Sequence, residues 1–128
     1  MERSKKHILI VEDEMALSHA LTIRLQQEGY AVTVASNGEE ALQKVESHPF
    51  DLILLDIIMP RMDGLTLLEF LKKGTKPSAL IPVIVFSNLS QKEEMDRAKE
   101  LGATEYLVKA NTPFPKMLKV IKLILSAE

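Results

Sequence analysis

Residues 51–60 read Asp51-Leu-Ile-Leu-Leu-Asp56-Ile-Ile-Met-Pro60. Four aliphatic residues stand unbroken between two aspartates. A strand with one wet face would alternate apolar and polar residues; a continuous short run reads as a strand covered on both faces, as in a parallel sheet. A carboxylate closing such a run is costly to bury unless something compensates it. Asp56 therefore marks a functional position. Asp51, at the other end, reads as a residue that only starts the strand.

Four more apolar runs flank this one: His7–Val11, Ala31–Ala35, Pro82–Phe86 and Glu105–Val108. Segments of helical period separate and follow them. Leu17, Leu21 and Leu25 recur by four. Asn37 has Glu40 three residues on, a capping box ahead of Ala41, Leu42 and Val45. Leu65, Leu68 and Leu71 follow Asp63-Gly64. Ser90 and Glu93 form a second expected box before Met95, Ala98 and Leu101, with Gly102 just past that helix. Thr112-Pro113 is expected to supply the cap and first residue of a last helix, with Pro115 third and Phe114, Met117, Leu118, Ile121, Ile124 and Leu125 on one stripe. Strand then helix, five times over, predicts parallel strands joined by right-handed crossovers. The expected architecture is one doubly wound α/β domain spanning residues 1–128, its core at about 7–126.

Composition excludes more than it assigns. The 128 residues include no cysteine, so disulfide, zinc-thiolate, iron-sulfur and cysteine-nucleophile chemistry are all excluded. Lys and Arg total 16 against 18 Asp and Glu, a net charge of −2. That balance argues against direct nucleic-acid contact by this chain. No apolar stretch approaches the length of a membrane span, and Ile8–Val11 is too short for a signal-peptide core. Cytoplasmic localisation, with no membrane contact, is the expectation. His7, His19 and His48 share no ligand spacing.

Ligands of doubly wound sheets bind outside the carboxyl ends of the strands. Glu12-Asp13-Glu14 follow the first run, Asp56 ends the third, Ser87 and Asn88 follow the fourth, and Lys109 follows the fifth. Crowded carboxylates repel unless a cation or proton joins them. Mg²⁺ takes oxygen ligands and is commonly held by one or two carboxylates plus a phosphate oxygen. A hydroxyl and an ammonium can hold other phosphoryl oxygens. Phosphoryl transfer needs mainly such positioning and charge neutralisation.

Four blocks, in order, resemble the receiver domain of two-component response regulators, the CheY-like family. They are Ile8-Leu-Ile-Val-Glu-Asp13, Asp51 through Pro60 with Asp63-Gly64, Val83-Ile-Val-Phe-Ser87, and Gly102-Ala-Thr-Glu-Tyr-Leu-Val-Lys109. The resemblance implies a flavodoxin-like, five-stranded parallel sheet of order 2-1-3-4-5. It implies that Asp56 accepts a phosphoryl group. Glu12, Asp13, Asp56 and the backbone carbonyl of Ile58 would hold Mg²⁺ or Mn²⁺. Ser87 would bind a phosphoryl oxygen, Lys109 would pair with the phosphoryl group, and Ser87 and Tyr106 would form the switch. The face of the fourth helix, fifth strand and fifth helix would change its affinity for an output partner not named by the sequence. A histidine kinase or phosphotransfer protein would donate the group, to a monomer or weak homodimer. Such a chain is a regulatory domain, not a turnover enzyme.

The sequence departs from that pattern in places. Proline usually follows the lysine, often through a cis peptide; here Ala110 does, and a non-proline cis bond costs about 3–4 kcal/mol. A strained cis bond and a rearranged trans loop both stay open. Asn88 is larger than the usual Ala or Gly; it could narrow access to the phosphoryl group or donate a hydrogen bond to it. Ile58, Asn88 and Leu89 are the expected tuners of aspartyl-phosphate lifetime. Neither Ile58 nor Leu89 can orient an attacking water, which predicts slow self-dephosphorylation. The competing reading is a pseudo-receiver, a constitutive protein-binding module. Dinucleotide and P-loop sites are unsupported, because neither glycine motif is present.

Overall fold

The computed structural model describes residues 5–59, 63–74 and 76–126. Five strands form one sheet: β1 (His7–Val11), β2 (Ala31–Ala35), β3 (Leu52–Leu55), β4 (Val83–Ser87) and β5 (Glu105–Val108). All pairings are parallel, in the order β2-β1-β3-β4-β5. The helices are α1 (Met15–Gln27), α2 (Gly38–Ser47), α3 (Gly64–Lys72), α4 (Lys92–Glu100) and α5 (Phe114–Ser126). Two short 3-10 turns, Pro77–Leu80 and Lys109–Asn111, precede β4 and α5.

The central strands are almost wholly apolar because both faces of the sheet are covered. On one face Leu9, Val11, Ile53, Leu55, Val83 and Val85 pack with Ala41 of α2, Leu67, Leu68 and Leu71 of α3, and Ala98 of α4. On the other, Ile8, Ile10, Leu52, Leu54, Ile84 and Phe86 pack with Leu21 and Leu25 of α1 and Met117, Ile121 and Leu125 of α5. Full burial of each large aliphatic side chain contributes about 1.5–3 kcal/mol.

Helix ends show where local chemistry works and where it was misread. Asn37 Oδ1 accepts the Glu40 N–H at 2.9 Å, and Glu40 Oε1 reaches back to the Ser36 N–H at 2.6 Å. Gly102 sits at φ +110°, and the Gly102 and Ala103 N–H groups bond the Lys99 and Ala98 carbonyls, both at 3.0 Å. That is a Schellman ending, which needs a residue able to adopt positive φ. The expected Ser90 cap does not form: α4 starts later, with Gln91 at the cap and no side-chain capping bond. Thr112 does not cap α5 either. Its hydroxyl donates back to the Val108 carbonyl at 2.8 Å, and the Pro113 carbonyl accepts the first bonds, from Lys116 and Met117. The helix therefore begins at Phe114, and Pro115 is its second residue, where no N–H is required. β4 is displaced one residue onward, because Pro82 has no N–H for the ladder while Ser87 pairs with Val108.

Lys72 closes α3 onto the turn below it. Its ammonium donates to the Ala79 carbonyl at 3.1 Å and the Ile81 carbonyl at 2.5 Å. Burial lowers its pKa. No helix among the described residues is long and apolar enough to cross a membrane.

Candidate functional site

Register places the chemistry. Val11 lies beside Leu55, so Glu12 and Asp56 leave adjacent strands side by side. The Asp56 N–H donates to the Val11 carbonyl at 3.0 Å, carrying the pairing one step past the strand. Ser87 lies beside Val108, so Lys109 emerges next to Asn88.

Lys109 is the centre of the arrangement. Its Nζ lies 2.7 Å from Glu12 Oε1 and 3.0 Å from Asp56 Oδ2. Glu12 and Asp56 are 4% and 6% exposed, so their charges need this partner. The second oxygen of each has its own donor: the Glu14 N–H at 3.1 Å for Glu12, and the Ile58 N–H at 3.1 Å for Asp56. Burial raises the Glu12 pKa, and the bonds from Lys109 and the Glu14 N–H offset part of that. Burial alone would lower the Lys109 pKa, but its bonds to Glu12 and Asp56 outweigh it and the net shift is upward.

Asp13 is exposed at the rim. Glu12, Asp13 and Asp56 each present a carboxylate oxygen within 4.8 Å of the others. An all-oxygen, anionic set of that spacing fits a hard divalent cation. Residues on two loops, after the paired strands β1 and β3, thus converge.

Ser87 is fully buried, and its Oγ accepts the Leu89 N–H at 3.3 Å. Tyr106 is also buried, and its hydroxyl donates to the Leu89 carbonyl at 2.7 Å. Burial raises the Tyr106 pKa, and the Glu94 charge adds to the shift. Ile58 is half exposed beside the site. No described peptide bond is cis, so Lys109–Ala110 is trans. Asn88 Oδ1 accepts the Ala110 N–H at 3.1 Å, a contact the sequence reading missed.

Gly64 opens α3 directly against the Asp56 loop. Its N–H donates to the Ile57 carbonyl at 3.1 Å. A Cβ there would stand 2.6 Å from the Asp56 carbonyl oxygen and closer still to Ile57 Cα. Only glycine lets α3 start against the Asp56 loop. Asp63 Oδ1 caps that helix through the Thr66 N–H at 2.9 Å. Pro60, also part of the quoted motif, lies outside the described residues.

Comparison with known proteins agrees with this geometry. A probable transcriptional regulator, ycf27, of Cyanidium caldarium is 37% identical over 111 residues, covering 87% of this chain and 43% of that protein. The chain thus spans less than half the length of that curated relative, a transcriptional regulator, so the expectation of no nucleic-acid contact is not borne out for a whole protein of that kind. A CheY-like receiver domain protein from Methanospirillum hungatei superimposes with a TM-score of 0.90 at 32% identity, covering 97% of this chain and 96% of that one. The response regulator TrrA of Thermotoga maritima, solved in complex with Mg²⁺-BeF, gives a TM-score of 0.82 at 35% identity, covering 94% and 99% of the two chains. Residues 8–122 match the model of the response regulator receiver domain. With carboxylates and lysine gathered at the carboxyl edge of a 2-1-3-4-5 sheet, this chain belongs to the response regulator receiver domain family, a regulatory signalling domain of two-component systems.

Proposed function

We propose that Asp56 accepts a phosphoryl group from a histidine kinase, a phosphotransfer protein or a small phosphodonor, in the cytoplasm. The observation that carries this reading is Lys109, whose ammonium bridges the two buried carboxylates Glu12 and Asp56. That ammonium and the Ile58 N–H hold the Asp56 carboxylate in place at the carboxyl edge of the sheet, where a phosphodonor would approach. Attack by an Asp56 oxygen forms the O–P bond as the donor's P–N or P–O bond breaks, and the leaving nitrogen or oxygen keeps the electron pair. Glu12, Asp13, Asp56 and the Ile58 carbonyl would hold Mg²⁺ or Mn²⁺, which supplies charge neutralisation for incoming phosphoryl oxygens.

Lys109 then pairs with the new phosphoryl group, and Ser87 turns its hydroxyl to another oxygen. That movement releases the Leu89 N–H from Ser87 and shifts the loop to which Tyr106 is tied. A local charge change of this kind biases a two-state element. The α4–β5–α5 surface carries the change to an output partner. In a longer protein like the ycf27 relative, a transcriptional regulator, that partner would be the remaining segment of the same chain. Slow loss of phosphate follows from Ile58, and a polar residue there speeds it.

The test is intact mass after incubation with acetyl phosphate and Mg²⁺. The expected result is an adduct of about 80 Da, one phosphoryl group, absent from Asp56→Asn. No adduct in the native chain sinks the reading. It would favour a constitutive binding module, for which the pre-formed Lys109 bridge already neutralises the site without an ion.

A further inference from the structure

Asn88 and Ala110, the two departures noted in the sequence, meet in the fold. The Ala110 N–H donates to Asn88 Oδ1 at 3.1 Å across 22 residues of chain. A proline at 110 would have no N–H to give, and an alanine or glycine at 88 would have no side-chain acceptor. Each departure supplies one half of a single bond.

The position of that bond matters more than its strength. Asn88 directly follows Ser87, and Ala110 directly follows Lys109. Ser87 is buried and bonded to the Leu89 N–H. Lys109 opens the 3-10 turn Lys109–Asn111 and sends its ammonium to Glu12 and Asp56. A shift of Ser87 therefore pulls on Asn88, and through it on the backbone that aims Lys109.

We infer that Asn88 is a positioning residue: its bond to the Ala110 amide couples the Ser87 hydroxyl and the Lys109 ammonium so that they move as one unit. The coupling rests on the phosphoryl-accepting reading; the bond does not. Bulk alone predicts something different. An exposed side chain that merely screens the site would act equally well without an N–H at 110.

Two measurements on the 128-residue chain decide between them. In the first, hydrogen exchange at the Ala110 amide is followed by NMR. Asn88→Leu keeps the bulk and removes the acceptor, and exchange at Ala110 rises about tenfold while core amides are unchanged. Asn88→Asp keeps an acceptor and restores protection. An Ala110 amide equally protected in Asn88→Leu overturns the bond. In the second, the rate of phosphorylation by acetyl phosphate with Mg²⁺ is read by mass. Asn88→Leu slows it by about threefold to tenfold. In an Ala110→Pro background the same substitution changes nothing further. An equal effect in both backgrounds, or none in the native one, overturns the coupling. A native chain that takes no phosphoryl group overturns the parent reading and the coupling with it, and the exchange result then stands for the bond alone.

Discussion

β3 carries an aspartate at each end, and the two have opposite fates. Asp51, at the amino end, accepts the His7 N–H at 2.8 Å and returns its own N–H to the His7 carbonyl at 2.8 Å. It binds main chain and extends the β1–β3 pairing. Asp56, at the carboxyl end, also binds one main-chain N–H, but its other oxygen goes to an ammonium from another loop. The first aspartate is satisfied by the fold. The second is satisfied by an ionisable partner that could let go. A carboxylate held by a side-chain ammonium can trade that partner for another cation; one whose partner is the backbone is a strut.

Four substitutions would break or sharpen that contrast. Lys109→Ala leaves two buried carboxylates facing each other, and urea unfolding should show a loss of about 2–4 kcal/mol. Millimolar Mg²⁺ should restore part of it, and an equal loss with and without Mg²⁺ would count against the cation site. Gly64→Ala forces a methyl group against the Asp56 carbonyl. Its expected cost is about 1–3 kcal/mol, with slower phosphoryl uptake because the Asp56 loop shifts. Asp51→Ala orphans the His7 N–H and should cost about 1–2 kcal/mol. Phosphoryl uptake by that variant should match wild type, and a clear drop would erase the distinction between the two ends.

The smallest effect concerns pH. Burial holds the Glu12 carboxyl above its ordinary 4.5, so the folded chain keeps this proton to higher pH than the unfolded chain. The stability contributed by Glu12 therefore falls as pH rises from 4.5 through the raised value. Relative to wild type, Glu12→Gln should gain stability over that interval, read as the difference in urea midpoints. A difference that stays flat with pH would show that Glu12 ionises in the folded chain as it does in the unfolded one.

The strands were legible because each apolar run is short and is followed by a polar residue at its carboxyl end. A parallel sheet puts the carboxyl ends of its strands on one side, which alone gathers Glu12, Asp56 and Lys109 at one edge; the register itself was not legible. Less legible were features set by which backbone N–H goes unmet. Ser90 and Thr112 are good caps by type, yet Thr112 is spent on Val108 and α4 starts beyond Ser90. Gly64 gives no hint in the sequence that its missing Cβ is a matter of contact with Ile57 and Asp56. Asn88 and Ala110 read as two separate oddities, because residues 22 apart reveal a shared bond only when β4 and β5 are aligned.

Lys72 has a consequence for chemical footprinting. Its nitrogen is clasped by two carbonyls of the Pro77–Leu80 region, while Lys116, Lys119 and Lys122 stand exposed along α5. An acylating reagent reaches the α5 amines at once. It reaches the half-buried Lys72 faster when that turn lifts off α3, a local opening rather than global unfolding. The slower labelling of Lys72 is thus a clock for breathing at the end of the sheet remote from Asp56.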